Sequence, residues 1–209
     1  MSFVSRVLGF LVMLPLALQC AAGANAAEKV NIQLPVEFDL IDHRGNAITT
    51  ASLRGRPSLL FFGFTRCPDI CPTSLLEIGE TLDALGDDAA RLNVLFVSLD
   101  PDRDTREHLA TYLSVFDHRI IGVTGDSPQI TRLAKDLGVV YERVEQKADY
   151  VFNHSIFTFV LDSAVRPNGR LLIGHGAPRE VAVKRLKAII LEAGVESVRA
   201  GVPHTAPSQ

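Results

Sequence analysis

The chain has 209 residues, of which 47% are hydrophobic and 22% are charged. These fractions are typical of a globular protein and exclude disorder over the whole chain, and the length suits one domain of about 100–200 residues. A net charge of −3, from 21 basic and 24 acidic residues, excludes the strongly basic surface that nucleic-acid-binding domains carry. Three cysteines are too few for a disulfide-based scaffold or for a pair of structural zinc sites.

Residues 1–27 have the pattern of a secretory signal peptide. A basic residue precedes the apolar run Val7–Leu18, and Ala24–Ala26 fits the small-x-small cleavage pattern. The run has about a dozen residues, fewer than the ~20 that a membrane-spanning helix needs. Two alternatives remain open, namely an uncleaved membrane anchor and lipidation at Cys20. All three interpretations place the folded part outside the cytoplasm, in the periplasm or at the periplasmic face of the inner membrane.

The rest of the chain alternates between predicted strands and helices. The first predicted element is a hairpin from Glu37 to Ser52, with its turn at His43–Asn46. Apolar runs then predict further strands at Ser58–Phe64, Leu92–Leu99, Ile120–Thr124, Ile156–Leu161 and Leu171–Ile173. Apolar residues at helical spacing predict helices at Thr73–Leu85, Asp104–Phe116, Ser127–Gly138 and Pro178–Ala193.

Local signals set the ends of these elements. Asp104 begins a D-x-x-E pattern that predicts a helix cap, and Ser127-Pro128 predicts the start of the next helix. Gly138 is expected to end that helix, and Pro167–Gly169 is expected to form the turn between the last two strands. Strands that alternate with helices predict an α/β domain, a central sheet flanked by helices with an N-terminal hairpin. We expect one domain over residues 28–200 and a flexible tail at 201–209.

Two cysteines lie in a short loop between a predicted strand and a predicted helix. Pro72 suits the first helical position, so we expect Cys71 at the helix cap and Cys67 in the loop before it. The positive end of the helix dipole would then lower the pKa of both thiols. Three intervening residues give a wider bite than a C-x-x-C pair, which suits two sulfurs facing one metal ion. The alternative, that both are small buried residues or form one structural disulfide, remains open.

His154 is the third candidate residue, and it stands just before the predicted strand Ile156–Leu161. An imidazole is a common metal ligand. Spacing alone does not select it from the five other histidines: His43, His108, His118, His175 and His204.

From about Phe38 to His175 the chain resembles the Sco/SenC family of copper-binding assembly proteins, which have a thioredoxin-like fold. This stretch is about two-thirds of the chain. The resemblance is carried, in the family's order, by three motifs: Phe62-Gly63-Phe64-Thr65-x-Cys67-Pro68-Asp69-x-Cys71-Pro72, Val97-Ser98-x-Asp100-Pro101-x-Arg103-Asp104-Thr105, and His154-Ser155 before a strand.

The resemblance implies that Cys67, Cys71 and His154 bind one copper ion per chain, as Cu(I) or Cu(II). It implies a metallochaperone that assists assembly of the dinuclear copper centre of cytochrome c oxidase subunit II or a related recipient, with another copper chaperone as a further partner. The residue types agree, because soft sulfur favours Cu(I) and because three ligands leave the metal accessible to a recipient.

Two other function classes remain open. Cys67 and Cys71 would be the catalytic pair of a thiol-disulfide reductase acting on the cysteines of an extracytoplasmic partner. A redox or copper sensor that signals through another protein would use the same residues. A peroxidase is disfavoured, because Thr65 and Cys67 lack the T-x-x-C spacing of peroxiredoxin-type sites.

Two acidic residues stand in the second motif, and the chain departs from the family pattern at two places. Asp104 is interpreted as a helix cap rather than a copper ligand, since carboxylates are hard ligands, and Asp100 would orient the site or a partner. Arg66 places a cation beside Cys67 that should favour its thiolate. The segment Asp162–Gly169 is longer than the family's tight turn, which bears on partner contacts more than on the metal site.

Overall fold

A computed structural model describes residues 35–147 and 149–199, all within one compact unit. The strands are β1 (Asp39–Asp42), β2 (Ala47–Thr49), β3 (Ser58–Gly63), β4 (Asn93–Ser98), β5 (Ile120–Thr124), β6 (Tyr141–Glu145), β7 (Tyr150–His154), β8 (Thr158–Leu161) and β9 (Pro167–Leu171). The helices are α1 (Thr50–Leu53), α2 (Ile70–Leu85), α3 (Arg106–Leu113), α4 (Ser127–Asp136) and α5 (Arg179–Arg199), with a 3-10 helix at Gly86–Arg91.

Seven strands form one mixed sheet in the order β2-β1-β5-β4-β3-β8-β9. Strand β4 runs parallel to both β3 and β5, whereas the other pairings are antiparallel. Strand β3 is buried along its whole length, as its uninterrupted apolar run predicts.

Side chains of β3 alternate between two apolar cores, one on each face of the sheet. Leu59 and Phe61 pack in a core shared with α2, α3 and α5, and Leu60 and Phe62 pack in a core shared with α1 and α4. Helices therefore cover both faces. The predicted α/β fold, with a central sheet flanked by helices and an N-terminal hairpin, is confirmed.

The turn of the last two strands lies elsewhere than expected. Pro167–Gly169 belongs to β9, and the chain reverses before it, between Asp162 and Arg166. The Asp162 carboxylate accepts hydrogen bonds from the amide groups of Ala164 and Arg166, both at 2.9 Å. Val165 takes a left-handed φ of 65°. The side-chain cap by Asp162 thus forms the turn without the glycine that the prediction relied on.

Two helix starts also differ from the local patterns. Helix α4 is capped by Asp126 rather than Ser127, because the Asp126 carboxylate accepts a hydrogen bond from the Gln129 amide at 2.8 Å. Helix α3 is capped by Thr105, whose hydroxyl accepts a hydrogen bond from the His108 amide at 3.2 Å. Both caps satisfy amide groups that the first helical turn leaves without partners.

Strands β6 and β7 form a separate antiparallel hairpin that the sequence patterns did not predict. Tyr141 pairs with His154 at one end and Glu145 pairs with Tyr150 at the other. Every residue of its two strands is exposed or half-buried, so no clean apolar alternation marks it in the sequence.

The expected signal segment at 1–27 and the expected tail at 201–209 lie outside the described residues. Among the helices of residues 35–147 and 149–199, none combines the length and the hydropathy needed to cross a membrane.

Candidate metal centre

Cys71 is the second residue of α2, because the helix begins at Ile70 and not at Pro72. The Thr73 amide donates to the carbonyl of Asp69 at 3.3 Å. Pro72, which has no amide proton to satisfy, is tolerated in the first turn. The expectation that Cys71 is the cap residue is therefore wrong by two positions, although the cysteine does lie at the helix N-terminus.

Cys67 lies in the loop before α2, as expected, and is half-buried, whereas Cys71 is fully buried. The Cys67 amide donates to the carbonyl of Phe64 at 3.2 Å. The Cys71 sulfur lies against Gly63 of β3, where a Cβ atom would be 2.9 Å from Cys71 Sγ and 2.7 Å from the ring of Phe96. The missing side chain of Gly63 therefore makes the space that the sulfur occupies.

His154 is the last residue of β7 and is half-buried. Its ring lies edge-on to the rings of Phe61 and Phe64, with centroid separations of 6.3 and 6.1 Å. Its Nδ1 lies 3.0 Å from the carbonyl oxygen of Ser155. When Nδ1 is protonated and donates to that oxygen, Nε2 is left with a lone pair for a metal ion.

The β6–β7 hairpin brings His154 to the two cysteines. His154 Nε2 is 3.5 Å from Cys71 Sγ, and the ligand atoms of Cys67, Cys71 and His154 all lie within 4.8 Å of one another. Ligands bound about 2.0–2.3 Å from one metal ion are separated by at most about 4.6 Å, so small movements of these side chains would bring all three atoms to one ion. Among the residues that the structure describes, no other group of three or more His, Cys, Asp or Glu side chains converges in this way.

The two thiols have opposite pKa shifts. The pKa of Cys67 falls from 9.0 to about 4, because its thiolate accepts hydrogen bonds from the Cys71 thiol first, and also from His154 and the amides of Cys71 and Asp69. The pKa of Cys71 rises, because its thiol donates to Cys67, because it is buried, and because it faces the negative charge of Cys67. The expectation of a lowered pKa is thus correct for Cys67 and wrong for Cys71.

Arg66 does not direct its charge at Cys67 as expected. Its side chain is about half-exposed and forms an ion pair with Asp149 at 3.1 Å. Asp149 directly precedes β7, so this ion pair joins the cysteine loop to the hairpin that carries His154.

Asp104 is not the cap of α3, because its fully buried carboxylate is engaged elsewhere. Its Oδ1 accepts a hydrogen bond from the Thr65 hydroxyl at 2.6 Å. Its Oδ2 accepts from the Thr65 amide at 3.0 Å and from the Ser98 hydroxyl at 2.6 Å. Asp104 lies outside the three-residue group, and it holds the backbone two positions before Cys67.

Asp100 also lies outside the group of candidate ligands. Its carboxylate is 2% exposed, and it accepts hydrogen bonds from Arg103 and, at 2.8 Å, from the Tyr150 hydroxyl. These contacts connect the end of β4 to the first residue of β7.

The sequence patterns did not identify four residues that support the site through hydrogen bonds: Thr65, Ser98, Arg103 and Tyr150. The first three stand in the motifs quoted above, and the position of Thr65, a polar residue two positions after the buried strand β3, is a signal that could have marked it. Tyr150 has no such signal, because its hairpin was not predicted. The other described histidines, His43, His108, His118 and His175, do not belong to the group of ligand atoms, and His204 lies outside the described residues.

Fold and site together define an α/β protein with two thiols and an imidazole gathered at the junction of a buried strand and a helix. A sequence profile of the SCO1/SenC family matches residues 26–191, and the chain belongs to that family. It is 38% identical over 145 residues to the SCO2-like protein RC0895 of Rickettsia conorii, covering 68% of this chain and 69% of the relative.

Solved structures of the family share the fold, which is thioredoxin-like. Bradyrhizobium japonicum ScoI with copper bound is 38% identical, with a TM-score of 0.68 over 75% of this chain and 99% of that chain. Yeast Sco1 with copper bound is 32% identical, with a TM-score of 0.65 over 81% of this chain and 91% of that chain.

Proposed function

We propose that this protein is a copper-binding metallochaperone that holds one copper ion through Cys67, Cys71 and His154. The observation that carries the proposal is the convergence of these three side chains, from two segments far apart in sequence, to within 4.8 Å. Two thiols and one imidazole are a donor set that favours copper, and Cu(I) in particular. The similarity to ScoI and Sco1, whose structures have copper bound, supports copper as the metal.

The site suits a metal that is cargo rather than a permanent cofactor. Cys71 is buried, whereas Cys67 and His154 are half-buried, so a recipient has access from their side. A three-ligand site also leaves a position at which an incoming ligand can bind before the first ligands leave, unlike a closed four-ligand structural site.

The proposed recipient is the dinuclear copper centre of cytochrome c oxidase subunit II, or a related copper centre, with another copper chaperone as a source of the ion. This role requires the domain at 28–200 to act outside the cytoplasm. The signal-like pattern of residues 1–27 supports export to the periplasm or to the periplasmic face of the inner membrane.

Removal of the imidazole tests the proposal. We expect His154→Ala to weaken Cu(I) binding at least tenfold, about 1.4 kcal/mol, and Cys67→Ser and Cys71→Ser to weaken it more. Competition with a chromogenic Cu(I) chelator measures the affinity. His118→Ala is the matched control, because that side chain is 92% exposed and lies outside the group. Equal affinities for His154→Ala and His118→Ala would refute the three-ligand site.

A thiol-disulfide reductase is the second candidate, and the lowered pKa of Cys67 favours it. The Cys67 thiolate would attack a partner disulfide, and Cys71 would then resolve the mixed disulfide, leaving a reduced partner and a Cys67–Cys71 disulfide. The test is whether reduced, copper-free protein reduces the oxidised cysteines of the recipient. Unimpaired reduction by His154→Ala, together with unimpaired copper binding by that variant, would favour the reductase over the metallochaperone.

A further inference from the structure

The hairpin that carries His154 is not part of the main sheet. Neither β6 nor β7 pairs with any strand of the seven-stranded sheet, so side chains must hold the hairpin against the body of the protein. The ring of Phe152 packs edge-on against Phe64 at a centroid separation of 5.5 Å, which fixes the middle of β7. The start of β7 is held by polar contacts.

Arg103 makes most of these polar contacts. Its guanidinium donates to the Asp149 carboxylate at 2.5 Å and to the Tyr150 carbonyl at 3.1 and 3.2 Å, and its Nε donates to Asp100. The side chain is only 13% exposed. Because the guanidinium group is planar and several of its N–H groups donate at once, Arg103 joins the turn after β4 to the backbone of β7 in a defined orientation.

Tyr150 completes the connection from the hairpin side. Its hydroxyl donates to Asp100 at 2.8 Å. The guanidinium carbons of Arg103 and Arg143 lie 3.5 and 3.6 Å from the centre of its ring, distances at which cation–π attraction is favourable. The ring is thus held through its hydroxyl and through stacked guanidinium groups.

The base of this arrangement is itself fixed. The Asp100 amide donates to the Ser98 hydroxyl at 3.0 Å, and the Arg103 amide donates to the Asp100 carbonyl at 3.1 Å. Asp149 also accepts from Arg66, which directly precedes Cys67. The same group of residues therefore contacts both the strand that ends in His154 and the loop that carries Cys67.

We propose that Asp100, Arg103, Asp149 and Tyr150 form a hairpin clamp that positions the imidazole of His154 for metal binding. The proposal rests on the function proposed above, because it assigns these residues to the same site. Tyr150 lies four residues before His154, about 13 Å along an extended strand. A strand tilted at its start moves the ring at its end, so the clamp sets the distance from imidazole to sulfurs without touching the metal. These are positioning residues.

A double-mutant cycle tests the hairpin clamp. We expect Arg103→Met to lower Cu(I) affinity about tenfold, the effect typical of losing a residue that orients a metal ligand. Tyr150→Phe, which removes only the hydroxyl contact and is the milder variant if Arg103→Met folds poorly, should lower it about threefold, the effect of losing one hydrogen bond. In a His154→Ala background both substitutions should change the affinity less than about twofold, because the ligand they position is already absent.

Arg119→Met is the matched control, since Arg119 also bridges two aspartates, Asp117 and Asp83, but away from the cysteines. It should lower thermal stability and leave Cu(I) affinity unchanged. The clamp alone would be overturned if the clamp substitutions lowered affinity equally in the wild-type and His154→Ala backgrounds. It would also be overturned if neither clamp substitution lowered affinity while His154→Ala did. No loss with His154→Ala itself would overturn the three-ligand site and the clamp with it.

Discussion

The space beside the Cys71 sulfur makes Gly63→Ala a sharp test of the site. A Cβ atom at position 63 would lie 2.9 Å from the sulfur, and ordinary van der Waals contact begins at 3.4 Å, so the sulfur must move by about 0.5 Å. The ring of Phe96, 2.7 Å from the same Cβ, must move as well. Overpacking of a buried site costs about 1–3 kcal/mol, and we expect the free energy of unfolding to fall by about 2 kcal/mol.

The displacement should also weaken copper binding, because a ligand needs to lie within about 0.5 Å of its productive position. We expect a loss of about tenfold in Cu(I) affinity, measured by chelator competition beside urea unfolding. Gly122→Ala is the matched control. Gly122 lies on β5, and a Cβ atom there would be 2.6 Å from the Leu113 side chain. Both variants should be destabilised, and only Gly63→Ala should bind copper more weakly. Wild-type affinity for Gly63→Ala would refute the packing argument.

Two further predictions concern the cysteine loop. With a pKa of about 4, the Cys67 thiolate of reduced, metal-free protein persists as pH falls, so its alkylation rate, followed by mass spectrometry, should be constant from about pH 8 to about pH 5. A tenfold fall per pH unit over that range, the behaviour expected of the unfolded control, would contradict the assigned hydrogen bonds. Asp104→Asn replaces one oxygen of a buried carboxylate that accepts from three donors with an amide group, and should lower the free energy of unfolding by about 3 kcal/mol. A loss of less than about 1 kcal/mol in urea titration would show that Thr65 and Ser98 find other partners.

The central part of the fold follows from the sequence because burial there is nearly complete. Strand β3 is enclosed on both faces, so its apolar run has no polar interruption. Strand β5 has the predicted bounds, Ile120–Thr124. In α4, Gly138 takes a left-handed φ of 69° just after the helix, as a glycine at that position predicts.

The β6–β7 hairpin could not be predicted in this way, because the residues of its two strands are exposed or half-buried and their pattern has no clear period. The consequence reaches the site, since His154 ends β7. Residue spacing alone does not distinguish His154 from the other histidines as a metal ligand. Only the family resemblance selected it.

The errors at Asp104 and Cys71 share a physical cause. A D-x-x-E pattern describes only local hydrogen bonds, whereas the Asp104 carboxylate is satisfied by Ser98 and by Thr65, which is 39 residues away in sequence. The helix dipole acts on both cysteines, but coupling between two sulfurs in contact drives the pKa of Cys71 upward. Neither contact is visible in a linear pattern.

X-ray absorption spectroscopy at the copper edge tests the central claim most directly, since it identifies the atoms bound to the ion. For the Cu(I)-loaded protein we predict two sulfur neighbours and one imidazole nitrogen, with the nitrogen signal lost in His154→Ala. Two sulfurs without a nitrogen in the wild-type protein would contradict the account.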